Sequence, residues 1–207
     1  MKTDDLITLL SQSPQPRKPL SFSLVLLACL AMMTAFTVFV LGLRPDLAIA
    51  RMAVVHKTIL LGTAAGMAGF LLKSSAKPIP DHHGFKLYLW LLVALYLGSI
   101  FFELITTPLS RIAGFFYTVN FPECLFFVTL YGALGSWILL WLMRFYAPHD
   151  LKKAGMTIGF AAATTGAVGY SLHCTIDSPV FITIAYGLPV LLVSVIMRKL
   201  ADKFIRW

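Results

Sequence analysis

The chain is poor in charged residues and carries no recognisable catalytic pattern. Asp, Glu, Lys and Arg make up only 13% of its 207 residues, about half the share of a typical soluble domain. The sequence contains no Gly-x-Ser-x-Gly elbow, no phosphate-binding loop and no His-Glu-x-x-His pair, and these patterns carry much of hydrolytic and nucleotide chemistry. We therefore expect neither a soluble domain nor an enzyme, with no catalytic residue and no cofactor.

Cysteine is also scarce. The three cysteines, Cys29, Cys124 and Cys174, form no Cys-x-x-Cys pair, so the spacing of a zinc or thioredoxin-like motif is missing. The residues before Cys29 faintly resemble a lipoprotein cleavage box, but the chain stays apolar from there to Leu43. We predict that Cys29 is a small lipid-facing or packing residue.

Long hydrophobic runs, in contrast, are abundant. Hydrophobic residues form 58% of the chain, and the mean hydropathy is +0.83. Apolar stretches of about 20 residues recur, and each is long enough to cross a hydrocarbon layer as a helix. The sequence therefore predicts an all-α bundle of six transmembrane helices joined by short loops. The expected spans are residues 20–43, 51–72, 85–105, 124–145, 154–172 and 179–197.

The basic residues predict the orientation of this bundle. The net charge is +8, without a basic stripe interleaved with aromatics, so we expect contact with lipid headgroups and no direct binding of nucleic acid. Only four of the 17 basic residues fall on one side of the predicted bundle, namely Arg44, Arg51, Lys57 and Arg111. Since Lys and Arg accumulate in cytoplasmic loops, both termini are predicted to be cytoplasmic.

Two regions are expected: a cytoplasmic segment, residues 1–19, and a transmembrane domain, residues 20–207. Thr3 can cap a short amphipathic helix at the start, and Asp4 and Asp5 suit the positive end of its dipole. Acidic residues are unfavourable against an anionic leaflet, so the segment favours a protein partner that offers a groove. Its apolar face consists of Leu6, Leu9 and Leu10.

Two features bear on how the helices pack. The fifth span, residues 154–172, is the richest in small residues, which let membrane helices approach closely, and we predict that it is central. Lys57 and Glu103 lie inside spans, where ionisable groups are rare. Because their spans are antiparallel neighbours and the two residues lie at similar depth, we predict a Lys57–Glu103 ion pair.

The predicted topology places Cys124 and Cys174 on the same, non-cytoplasmic side, where thiols are oxidised. Three interpretations remain open: a static disulfide, a redox- or metal-responsive dithiol, and two unrelated cysteines. Three further side chains accompany them as candidate ligands or modulators: His173 and Asp177 in the Cys174 loop, and Glu123 beside Cys124. Two thiolates and an imidazole suit a soft or borderline cation, but the pattern assigns no particular metal.

Four segments in register resemble the negative regulator of sigma F family, six-span inner-membrane anti-sigma factors of Proteobacteria. They are the start MKTDDLITLL, the segment LGLRPDLA at residues 41–48, Cys124 at the head of the fourth span, and the loop HCTIDSPVF at residues 173–181.

The resemblance implies a bacterial inner-membrane protein that binds an extracytoplasmic-function sigma factor through residues 3–10. It also implies that Cys124 and Cys174 sense a periplasmic signal such as heavy metal or oxidative stress. The chain departs from the family pattern at Thr175, where proline is frequent, and at His56, where tryptophan is frequent. The alternative is a membrane thiol oxidoreductase or a small transporter, but no second cysteine pair is present to pass electrons on.

Overall fold

The computed structural model describes residues 20–77, 85–146 and 148–204, and these ranges are helical with no β-strand. The predicted amphipathic start, Thr3 to Leu10, lies outside them. The helices, in chain order, are α1 (Phe22–Phe36, extended by a π-helical turn at Thr37–Leu41), α2 (Arg51–Ser75), α3 (Phe85–Thr106), α4 (Leu109–Phe115), α5 (Asn120–Met143), α6 (Leu151–Tyr170), α7 (Pro179–Ala185) and α8 (Gly187–Phe204).

Five segments are long and apolar enough to cross a membrane: α1 with its π turn, α2, α3, α5, and α7 and α8 taken together. They match five of the six predicted spans. The remaining predicted span corresponds to α6, whose composition is less apolar because it is rich in Gly, Ala and Thr and begins with two lysines. Six spans and cytoplasmic termini therefore stay predictions.

Helix α6 forms the centre of the bundle, as its small residues predicted. It packs against α8, α5, α2 and α1, and its buried positions surround the helix on all sides. Glycine is needed at these contacts. A Cβ at Gly159 would lie 2.7 Å from the Cα of Ser194, and one at Gly132 would lie 2.9 Å from the Cβ of Ala163. Close backbone approach is how helices gain packing energy in lipid.

The start of α6 is capped locally. Asp150 Oδ1 accepts hydrogen bonds from the backbone N–H groups of Lys152 and Lys153, each at 3.0 Å. These bonds satisfy two of the donors that a helix leaves free at its first turn. The hydrogen bond from Lys153 is the main reason why the pKa of Asp150 is lowered from its ordinary value.

Two boundaries differ from the prediction. The expected last span, residues 179–197, is interrupted at Tyr186 and extends to Phe204. Pro189 explains the interruption, since it has no N–H to donate to the carbonyl of Ala185. The connection before α5, predicted as a loop, contains the short helix α4, which Pro108 precedes in an extended conformation.

Candidate functional site

Cys124 and Cys174 lie next to each other at one end of the bundle. Their Sγ atoms are 3.5 Å apart although the residues are 50 positions apart in sequence. Both side chains are fully buried, and both are free thiols. Cys124 lies near the start of α5, and Cys174 lies in the loop between α6 and α7, residues 171–178. A disulfide would require the sulfur atoms to approach to about 2 Å. We call this end of the bundle the thiol end.

Lys57 of α2 binds the loop that carries Cys174. The Lys57 Nζ donates to the carbonyl oxygens of Cys174 at 2.7 Å and Ile176 at 3.1 Å, and it pairs with Asp177 Oδ1 at 2.7 Å. An ammonium group has three donors, so all of them are used. Lys57 is completely buried, and a buried charge requires this kind of compensation.

Arg44, in the connection after α1, binds the same loop. Its guanidinium pairs with Asp177 Oδ1 at 2.7 Å and donates to the carbonyl oxygens of Thr175 at 3.1 Å and Cys174 at 3.4 Å. It also binds both carboxylate oxygens of Asp46, at 2.8 and 2.9 Å. We refer to Arg44 and Lys57 as the cation clamp. Two cations and two carboxylates balance the charge of the clamp.

The clamp and the second thiol bias the ionisation of the groups around them. The hydrogen bond to Asp46 raises the pKa of Arg44, and the same bond lowers the pKa of Asp46. The hydrogen bond from the Cys124 thiol lowers the pKa of Cys174 against the opposing effect of burial, and the charge of Lys57 lowers it further. Both effects favour the thiolate form of Cys174, which is the nucleophilic form of a cysteine.

Aromatic side chains form the floor beneath the two thiols. Tyr170 of α6 is stacked on Phe127 of α5, with ring centroids 5.4 Å apart, and Tyr186 lies 6.3 Å from Tyr170. Both tyrosines are buried. Phe181 packs on the far side, against Phe116 at 5.5 Å. Aromatic groups of this size exclude water, so the thiols face protein rather than the aqueous phase.

Comparison with known families decides the affiliation of the chain. Residues 6–207 match the model of the NrsF family, described as negative regulator of sigma F. The chain belongs to the NrsF family. By that description it is a negative regulator of a sigma factor, and a sigma factor is its partner. Comparison with curated proteins and with solved structures gave no match.

The candidate residues of this NrsF protein do not form a single cluster. Cys124 and Cys174 come together, whereas Asp177 is engaged by the cation clamp. The Nδ1 atom of His173 lies 2.9 Å from the carbonyl oxygen of Gly42. Glu123 stays in the first turn of α5. Over the described ranges, no group of three or more His, Cys, Asp or Glu side chains could hold a metal ion.

The predicted Lys57–Glu103 ion pair is not formed, because both residues have other partners. Lys57 pairs with Asp177, as described above. Glu103 Oε2 accepts a hydrogen bond from the backbone N–H of Val180 at 2.9 Å. The prediction failed because it considered only α2 and α3, whereas the polar loop before α7 folds over α2 and offers closer acceptors to Lys57.

The contacts of Arg44 were not predicted from the sequence. Arg44 follows the first predicted span, residues 20–43, yet it contacts a loop 130 residues further along the chain. One signal could have found it. Arg44 and Lys57 are two of the four basic residues on the side of the predicted bundle that is depleted in positive charge. Basic residues that break the orientation rule are candidates for buried structural roles.

Proposed function

We propose that this NrsF protein is a membrane-bound anti-sigma factor rather than an enzyme. It holds an extracytoplasmic-function sigma factor at the bacterial inner membrane and releases it when the Cys124–Cys174 dithiol reacts on the periplasmic side. Family membership supports the regulation of a sigma factor, and five apolar helices of sufficient length support anchoring among membrane lipids. The single observation that carries the sensing role is the 3.5 Å separation of the two buried sulfur atoms.

The short separation of the sulfur atoms favours thiol oxidation as the signal. The Cys174 thiolate attacks a peroxide, which gives a sulfenic acid and releases hydroxide. The Cys124 thiol then condenses with the sulfenic acid, so that a disulfide forms and water leaves. The same two thiols could also detect a thiophilic metal cation by binding it as thiolates, since soft ligands select soft cations.

Access to the thiols depends on the loop that covers them. Because both thiols are completely buried, the oxidant reaches them only when residues 171–178 move, and the cation clamp opposes this movement. Helix α2 carries Lys57 near one end and Ser75 at the other, about 27 Å away at 1.5 Å per residue. Ser75 Oγ lies 2.8 Å from Thr157 Oγ1 of α6. A displaced loop would thus act on α2 and, through it, on the far end of α6.

Cysteine variants test the sensing role in cells that carry the partner sigma factor and a reporter gene dependent on it. Cys124→Ser and Cys174→Ser should abolish the reporter response to peroxide and to thiophilic metals, while the sigma factor still co-purifies with the protein. Cys29→Ser is the matched control, because Cys29 is also buried but lies within α1, and it should respond normally. A full response from the Cys124→Ser/Cys174→Ser double variant would refute thiol sensing.

Binding of the sigma factor is tested separately. The apolar side chains Leu6, Leu9 and Leu10 and the acidic Asp4 and Asp5 are the proposed contact. Deleting residues 1–10 should abolish co-purification of the sigma factor and leave the reporter permanently active. If the sigma factor remains bound and inactive, the contact lies elsewhere on the protein, and the role proposed for residues 3–10 is wrong.

A further inference from the structure

A second site lies beside the thiol end. Helices α2, α3 and α4 and the start of α7 line an open cavity of about 750 Å³, within the range of about 300–1,000 Å³ typical of small-molecule sites. The residues that matter for its chemistry are His56 of α2, Phe102 and Glu103 of α3, Arg111 of α4, Phe115 and Asp177. The cavity belongs neither to the dithiol nor to the aromatic floor beneath it.

Glu103 is the most informative of these residues. It is only 8% exposed, and no basic side chain in residues 20–77, 85–146 and 148–204 lies within ion-pair distance of it. The N–H of Val180 donates to one carboxylate oxygen, whereas an ionised carboxylate offers about four acceptor positions. A buried acid within a span normally pairs with a cation or a donor-rich group. The arrangement of Glu103 suits an incoming ammonium group.

The cavity also offers positive charge and an apolar wall. Arg111 and His56 line it together with Glu103, so groups that attract an anion and a group that attracts a cation share one space. Phe102 and Phe115 provide apolar surface. Phe102 is 69% exposed and lies on α3, which is a candidate membrane span. The cavity is therefore open towards the position of the lipid.

We propose that this cavity binds the headgroup of a phosphatidylethanolamine lipid. The ammonium donates to Glu103, the phosphate is bound by Arg111 and His56, and the first part of an acyl chain lies against Phe102. The pattern of charges selects this headgroup. A choline headgroup has no N–H to donate to Glu103, and an anionic phosphatidylglycerol brings no cation to it.

The site adjoins the cation clamp through Asp177. This carboxylate lines the cavity, and it is also the acid bound by both Arg44 and Lys57. A lipid seated there closes one side of the loop that carries Cys174. Occupation of the site is therefore expected to slow the opening of the loop and the alkylation of the buried thiols.

Lipid retention by the purified full-length protein tests the proposal. The protein is exchanged into detergent with equimolar phosphatidylethanolamine, phosphatidylcholine and phosphatidylglycerol of identical acyl chains, and bound lipid is identified by native mass spectrometry. We expect the retained amount of phosphatidylethanolamine to exceed that of either other lipid by about tenfold. Soluble glycerophosphoethanolamine should not compete at the same concentration, because it lacks the chain that contacts Phe102.

Two variants and one control complete the test. Glu103→Gln keeps an oxygen for the N–H of Val180 but removes the charge, and Arg111→Gln removes the charge of an exposed side chain. Each should reduce the preference for phosphatidylethanolamine to less than about twofold. Glu123→Gln, a carboxylate at the same end but outside the cavity, should leave it unchanged. Equal retention of the three lipids by the unaltered protein, or an unchanged preference in both variants, would overturn the proposal.

Discussion

Around α6 the helices touch through glycine and alanine, whereas at the thiol end they are joined through two buried cations. At the centre, Gly159 brings α6 against Ser194 so closely that a methyl group does not fit. At the thiol end, Arg44 and Lys57 bind three successive carbonyl groups of one loop. Close packing has one favourable arrangement. An ionic contact depends on its individual partners, so substitutions in the two regions should have different effects.

The largest effect is expected from removing the buried ammonium. Lys57→Met keeps most of the side-chain volume but leaves Asp177 and two carbonyl groups short of a donor. Breaking a buried ion pair on one side typically costs about 3–5 kcal/mol. We expect a lower midpoint of thermal unfolding in detergent, together with faster alkylation of Cys174. Lys153→Met, at an 82% exposed side chain, is the control. Equal midpoints for the two variants would mean that the clamp does not stabilise the fold.

A smaller effect is expected from crowding the centre. Gly159→Ala places a methyl group 2.7 Å from a backbone atom of α8, and overpacking of this kind costs about 1–3 kcal/mol. Gly62→Ala introduces the same group in α2, where nothing lies within 4 Å, and should be neutral or slightly stabilising. The comparison becomes sharper if Gly159→Ala lowers the unfolding midpoint without changing alkylation of Cys174. A change in alkylation would show that the two regions are coupled.

The smallest effect concerns Asp46, the more exposed of the two acids that pair with the cation clamp. Because the bond to Arg44 lowers its pKa, its stabilising contribution is present above the usual Asp pKa of about 3.9 and is lost as the pH falls through the lower, folded value. Asp46→Asn should therefore lower the unfolding midpoint slightly at pH 7, and the profiles of the variant and the unaltered protein should converge below about pH 4. Unfolding midpoints between pH 3 and pH 7 measure this. An identical pH profile in the variant would contradict the assignment.

Local sequence patterns predicted the helices and which of them lies at the centre of the bundle. Apolar runs of the right length predicted the five helices that are long enough to cross a membrane, and the small residues of α6 indicated its central position. The break at Tyr186 was not predicted, although Pro189 was visible, because a proline can either kink or interrupt an apolar run. The partner of Lys57 was wrong because the sequence shows which residues need a partner, but not which acceptor lies nearest.

The sequence by itself determined that the apolar runs form helices and that Lys57 needs a partner. Both follow from the cost of leaving backbone groups and charges without partners in an apolar environment. Only the tertiary structure decided that Cys124 and Cys174 meet, that Arg44 reaches a loop 130 residues away, and that Glu103 lines a cavity. The physical reason is that such contacts depend on how the helices and loops pack, which no periodicity along the chain encodes.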